Sequence, residues 1–197
     1  MREVEVKSVV PDARESVTIV ERAGATLEFA GRLEDKRWDT PGRHVAARDE
    51  VLRTRVYRTA TETRAELDWK GPNSYAGGYK TREELGTGVV DPAVLEDILS
   101  RLGYVITMAI DREIRQYRLH GAVVRFEHYP RMDDLVEVEG EPEAIERAIV
   151  ALALPREGFT SERLPAFVQR FEARTGQVAA LSDLALGGDT RYAHENA

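Results

Sequence analysis

The chain has 197 residues, of which 42% are hydrophobic and 32% charged, proportions that suit one globular domain with a continuous core and exclude disorder along its whole length. Its 35 Asp and Glu outweigh 28 Lys and Arg for a formal charge of -7, which argues against the broad cationic face behind nonspecific nucleic-acid binding. With no cysteine there are no disulfides, thiolate nucleophiles or zinc-thiolate sites, and neither a signal-peptide core nor a bilayer-length apolar run is present, so a cytoplasmic protein with neither membrane nor nucleic-acid partner is expected.

Alternation of apolar and polar residues predicts a first strand over 3–9, followed by a helical period over 12–22 and a long strand over 25–37. Strands follow at 51–58, 64–70 and 78–90, then a helix over 92–102 behind Asp91 with Pro92 in its first turn. Strands over 104–118, 122–129 and 135–140 come next, then helices over 142–154 and from near Thr160 to Gly176. No repeat or Pro/Gly/Ser-rich linker divides the chain. The expectation is therefore one domain over 1–175 and an appended tail over 176–197, where Gly187, Gly188 and a polar close favour fraying. Long strands with a few helices outside make an α+β fold, and eight strands are enough to close a barrel.

Side chains two residues apart share a strand face. Glu3, Glu5 and Lys7 therefore oppose Val4 and Val6; Arg53 and Arg55 oppose Leu52, Thr54 and Val56; and Glu137 and Glu139 oppose Val136 and Val138. Asp68 with Lys70, Arg82 with Glu84, and Arg125 with Glu127 repeat the spacing. A single such strand is ordinary as a solvated edge, but six are different. If the charged faces look inward, the apolar faces receive the amphipathic helices and both are satisfied. Buried like charges need a partner or a ligand. Paired carboxylates call for a hard cation, Mg²⁺ or Mn²⁺, and the basic set calls for an anion with several phosphates. An acidic flank followed by a basic remainder is thus the pattern of a metal-bound polyphosphate, with charge stabilisation rather than a covalent nucleophile performing the chemistry.

Glu3-x-Glu5-x-Lys7 resembles the Glu-x-Glu-x-Lys signature of the CYTH family, the triphosphate tunnel metalloenzymes. Along the chain the resemblance continues through Asp39-Thr-Pro41, the run from Ala46 to Arg55, Trp69-Lys-Gly-Pro72, Arg82-Glu-Glu84 and Glu137-Val-Glu139. It implies an eight-stranded antiparallel β-barrel enclosing a triphosphate tunnel, with helices outside. By the same resemblance Glu3, Glu5, Glu137 and Glu139, supplemented by Glu127, ligate metal. Lys7, Arg53, Arg55, Lys70, Arg82 and Arg112 grip phosphate, with Arg125 a further cation on the wall. Glu5, Lys7 and Lys70 are the residues it implies at the reacting group. Relatives often carry Lys-x-Arg where this chain has Arg112 and Ile114 before Tyr117, and the His-Phe dipeptide of some cyclases is absent.

The implied substrate is a small molecule bearing a triphosphate: ATP, thiamine triphosphate or inorganic triphosphate. The first activity implied is that of a class IV adenylate cyclase, converting ATP to cyclic AMP and pyrophosphate. Triphosphate hydrolysis is the alternative, and noncatalytic polyphosphate or nucleotide binding the third reading. Exposed helices around a barrel suit a homodimer.

Overall fold

The computed structural model describes residues 2–76 and 79–188. Its strands form one antiparallel sheet: β1 (Arg2–Val9), β2 (Thr26–Asp39), β3 (Val51–Arg58), β4 (Thr63–Lys70), β5 (Ser74–Ala76), β6 (Tyr79–Val89), β7 (Val105–Leu119), β8 (Ala122–His128) and β9 (Leu135–Glu139). The order β1-β9-β8-β7-β2-β3-β4-β6 returns to β1 through the pairing of β1 with β6, which closes a ring of eight. Closure removes the open edges that an isolated sheet would present. Short β5 lies against β6 beyond the end of β4.

Five helices accompany the sheet among the described residues: α1 (Ala13–Arg22), α2 (Pro92–Arg101), α3 (Pro142–Leu152), α4 (Leu164–Thr175) and α5 (Asp183–Leu186). Asp12 and Asp91 cap α1 and α2 by accepting backbone N–H groups with their side chains, and Gly176 ends α4 in the left-handed region at φ 69°. The apolar outer faces of β1, β8 and β9 receive α1 and α3: Val6, Val124, Val136 and Val138 pack with Val20, Ile145, Ile149 and Leu152. Phe167, Val168 and Phe171 of α4 pack with Tyr129, Leu135, Met108 and Ile110 in a second cluster that also takes in Leu181. No helix among the described residues is long and apolar enough to cross a membrane.

The eight expected strands all appear, with boundaries displaced by no more than two residues. The fourth helix starts at Leu164 rather than near Thr160. Thr160 instead extends the sheet, exchanging backbone hydrogen bonds of 2.8 Å with Lys7 in both directions. That contact occupies the edge of β1 beyond its pairing with β6 and so fixes the backbone at Lys7. Downstream of α4, Ala179, Ala180 and Leu181 are buried. Ala180 pairs with Arg131, and the Asp111 N–H donates to Leu181 O.

Candidate active site

Strand alternation turns the charged stripes toward one cavity of about 430 Å³, within the roughly 300–1,000 Å³ range of small-molecule sites. It is lined by Glu5 and Lys7 of β1, Glu137 and Glu139 of β9, Arg125 and Glu127 of β8, Arg112 of β7, Arg53 and Arg55 of β3, Lys70 of β4 and Arg82 of β6. Seven strands thus bring together every expected site residue except Glu3, whose side chain lies outside the described residues. The backbone of Glu3 pairs with Arg82. Asp35, Arg37, Asp68, Glu84 and Tyr129 also line it.

The two signs do not separate into an acidic flank and a basic remainder; they interleave. The Lys7 ammonium sits between Glu5 Oε1 at 3.1 Å and Glu137 Oε2 at 2.7 Å. Burial disfavours that ammonium, but Glu137, Glu5 and Glu127 together outweigh burial and raise its pKa above the ordinary lysine value. Glu137 gives its other oxygen to Arg125 Nη1 at 2.7 Å. Burial opposes the Glu137 carboxylate as well, yet Lys7 and Arg125 hold its pKa well below the usual range.

Asp35 is the second hub. Its Oδ1 accepts from Arg55 Nε at 2.8 Å and its Oδ2 from Arg112 Nη1 at 2.8 Å. Against the cost of burial, Arg55, Arg112 and Arg53 keep this carboxyl well below its ordinary pKa. Arg112 also donates to Glu127 Oε1, whose other oxygen accepts the Tyr129 hydroxyl at 2.7 Å. Both oxygens of Glu127, expected as a supplementary metal ligand, are therefore engaged in orienting Arg112 and Tyr129. Burial, followed by the Glu127 charge, raises the Tyr129 pKa well above the tyrosine norm and keeps the hydroxyl a donor.

The remaining cations differ in what they leave available. Arg53 binds Asp68 Oδ2 through Nη2 at 2.8 Å, while its buried Nε has no hydrogen-bond partner and stands 4.0 Å from Asp35. Lys70 pairs with Glu84. Arg82 directs Nε and Nη2 at the Gly71 carbonyl, at 2.9 and 2.5 Å, and Nη2 also reaches the carbonyls of Lys70 and Asp49. It thereby pins the turn that follows β4.

The donor chemistry of Glu5, Glu137 and Glu139 suits an oxygen-seeking divalent cation. Glu5 and Glu139 are register partners across β1 and β9. Among the described residues, however, no three carboxylates are grouped closely enough to enclose an ion, because Glu137 is turned to Lys7 and Arg125. Trp38 lines the cavity but is only 3% exposed, and Trp69 is not on the lining. Trp38 is buried and donates to Thr54 Oγ1 at 2.9 Å, and Trp69 Nε1 donates to Glu50 Oε2 at 3.4 Å. His44 lies in the turn after β2, and His128 at the end of β8 pairs with Asp134.

Asp35 and Arg37 were not anticipated because Glu34-Asp35-Lys36-Arg37 carries charge on both faces of the strand. Glu34 and Lys36 bind Arg58 and Glu96 on the outside. Leu33 shares their face and is buried, but in the sequence an apolar residue there reads as the helix-facing side and so marked neither residue.

The model of the CYTH domain family matches residues 1–151. No curated protein sequence matches this chain. Among solved structures, a candidate adenylate cyclase from Vibrio parahaemolyticus superposes with a TM-score of 0.72 at 15% identity, covering 85% of this chain and 97% of that one. A protein from Pyrococcus horikoshii gives 0.69 at 21% identity over 89% and 99% of the two chains. A candidate adenylyl cyclase from Hippeastrum, described as having a dominant triphosphatase activity, gives 0.58 at 13% identity over 96% of each chain. At these identities the structural likenesses establish the fold, and the family match spans the strands that carry the charged wall, so the chain belongs to the CYTH domain family.

Proposed function

We propose that this chain is a Mg²⁺- or Mn²⁺-dependent enzyme that binds a triphosphate in the cavity and cleaves it by hydrolysis. The carrying observation is the convergence of Lys7, Arg53, Arg55, Arg112 and Arg125 on one enclosed wall that also bears Glu5 and Glu139. Arg55 and Arg112 are held in place by Asp35 before any ligand arrives, which reduces the ordering cost of gripping phosphoryl oxygens. The partnerless Nε of Arg53 gains an acceptor when phosphate binds.

Glu5 and Glu139, joined by Glu137, would hold the divalent ion, which when bound supplies positive charge at the phosphoryl oxygens. Lys7 keeps its proton and donates hydrogen bonds beside these carboxylates. Lys70 supplies a further cation within electrostatic reach of Glu137, steadied by Glu84. In this reading Arg82 and Glu127 position the wall, Arg82 through the turn after β4 and Glu127 through Arg112 and Tyr129.

Hydrolysis is favoured because Trp38, the indole on the lining, is only 3% exposed and Trp69 lies off the lining, so neither offers an open ring face to a base. Cyclisation of ATP to cyclic AMP and pyrophosphate is the second reading. It has in its favour an apolar portion of the lining, Leu52, Leu85, Leu164 and Pro165, able to receive a base. The deciding experiment incubates the protein with inorganic triphosphate, ATP and thiamine triphosphate in Mg²⁺ or Mn²⁺ and quantifies phosphate, pyrophosphate and cyclic AMP in parallel. Phosphate release supports hydrolysis, and cyclic AMP selects the second reading. Binding without any product reduces the protein to a polyphosphate or nucleotide binder.

A further inference from the structure

One rung beyond Arg55 and Arg112 the inward-facing residues change character. Leu33 of β2, Tyr57 of β3 and Ile114 of β7 form an apolar cluster, with Phe29 packed against it. These residues continue the charged stripes: Leu33 follows Asp35, Tyr57 follows Arg55 and Ile114 follows Arg112 at the two-residue spacing that keeps a strand face. A lumen open to solvent at this level would wet them, yet Leu33, Ile114 and Tyr57 are only 0%, 2% and 6% exposed. None of the three lines the cavity. The Phe29 and Tyr57 rings meet edge to face with centroids 5.3 Å apart, and the Arg64 guanidinium lies over the Tyr57 ring at 4.2 Å on the solvent side.

We propose that Leu33, Tyr57 and Ile114 form an apolar stop that makes the cavity blind-ended and sets the length of phosphate chain it accepts. The proposal rests on the triphosphate reading of the site. Leu33 and Ile114 offer a phosphoryl oxygen neither hydrogen bond nor charge, and the one polar group of the floor, the Tyr57 hydroxyl, accepts from Arg55 Nη1 at 3.1 Å; pushing an anion past it into the aliphatic pair carries the full desolvation cost. A linear polyphosphate therefore advances only as far as the cavity cations Arg55, Arg112 and Arg125. The product has no through-route and returns by the mouth at which Asp49 and Arg163 pair. Chain length is thus selected by the position of the floor, through the cost imposed on units beyond the last cation.

The chain has no cysteine, so a single introduced thiol reports directly on this floor. Ile114→Cys in the full chain is expected to react with a small charged methanethiosulfonate at least about tenfold more slowly than an exposed thiol, because reaction requires access. Adding Leu33→Ala should restore the rate. In parallel, calorimetric titration of the unaltered protein with triphosphate and with a longer linear polyphosphate should give affinities that level off with length. Leu33→Ala, or Ile114→Ala should the first not fold, should shift the preference toward the longer chain by about tenfold, because the opened floor lets one more phosphoryl unit keep its water. Fast labelling of Ile114→Cys alone, or an unchanged length profile in a folded opened variant, overturns the stop. If no polyphosphate binds the unaltered protein, the triphosphate reading fails, and the thiol rates still decide whether the floor is closed.

Discussion

Asp35 Oδ2 accepts a 2.8 Å hydrogen bond from Arg112 Nη1 although the register of β2 and β7 sets Asp35 beside Ile110 and Arg112 beside Leu33. The guanidinium reaches one rung along the lumen to a carboxylate already bonded to Arg55, so a single anion determines where two cations of the wall point. Substituting Asp35→Asn removes the charge and nearly preserves the shape. The expected result is a loss of roughly 3–5 kcal/mol, the usual consequence of stripping one member from a buried ion pair. Denaturant unfolding checks this, and a midpoint unchanged from the parent protein would show that Glu127 alone suffices to hold Arg112.

The acid limb of the stability profile follows from the same hubs. Asp35 and Glu137 have folded pKa values well below their ordinary 3.8 and 4.5, because Arg55 and Arg112 in one case, and Lys7 and Arg125 in the other, outweigh the opposing effect of burial. A carboxylate depressed by folding contributes its stability in full above the unfolded value and loses it as pH falls through the folded one. The melting temperature should therefore stay level down to about pH 5 and decline below about pH 4. Lys7, raised by folding, contributes in full below 10.5 and loses that contribution progressively as pH climbs from there toward its folded value, so the alkaline side should stay flat to about pH 10 and decline above it. Melting curves across pH for the parent and Asp35→Asn make the comparison, and the variant should show the shallower acid decline.

Among the proposed metal-holding carboxylates, Glu137 is a poor place to test the metal because its removal strands Lys7 and Arg125, both buried. Glu139 is the better choice: it is less deeply buried and sits opposite Glu5 at the β9 edge. Glu139→Gln should reduce Mg²⁺- or Mn²⁺-dependent turnover by at least about 10–100-fold, the loss typical even for groups one step removed from a metal. Its melting temperature should stay near that of the parent. Chelation of the parent protein should abolish the same turnover, with recovery on adding back the ion. Full activity in chelator would remove the metal from the reading.

Arg53 differs from its neighbours in having a buried nitrogen without a hydrogen-bond partner. Arg53→Ala forfeits a charge-assisted contact worth about 1.5–3 kcal/mol and should weaken triphosphate binding by about 10–100-fold. The effect should fall on KM more than on kcat, since a wall cation grips the substrate in the ground state as well as the transition state. A loss confined to kcat would move Arg53 to the reacting phosphoryl group.

The ring of strands was readable because apolar and charged residues alternate cleanly in Glu3-Val-Glu-Val-Lys7, Arg53-Thr-Arg55 and Glu137-Val-Glu139, so the period and the inward face coincide. Asp35 escaped because both faces of its segment are charged, one serving the lumen and the other binding Arg58 and Glu96. The pairings themselves had no local signal. Arg125 and Glu127 are neighbours on one strand face, yet Arg125 binds Glu137 across β9 and Glu127 binds Arg112 across β7. Such choices depend on strand stagger around a closed ring. The helix expected from Thr160 was displaced for a related reason: the unpaired edge of β1 at Lys7 takes up Thr160 in extended form before Pro165 opens α4.

Gly31 joins this stagger to the apolar floor. A Cβ built there would stand 2.2 Å from the Arg58 carbonyl oxygen and 3.2 Å from the Phe29 ring, and the nearest atom is backbone, which cannot rotate aside. The close approach coincides with the end of the β2–β3 pairing at Arg32 and Arg58 and with a register shift in β2 between Leu27 and Phe29. Gly31→Ala must therefore push β3 away from β2 beside Leu33 and Tyr57, and a cost of about 1–3 kcal/mol is expected from overpacking. Chemical denaturation measures that cost. Because the displacement is local to the floor, the variant should also expose Tyr57, read as enhanced quenching of tyrosine fluorescence by a small neutral quencher, while the Asp35 hub one rung away keeps Arg55 and Arg112 in place. Unchanged stability would mean that the two strands separate freely at this point and that the floor tolerates movement.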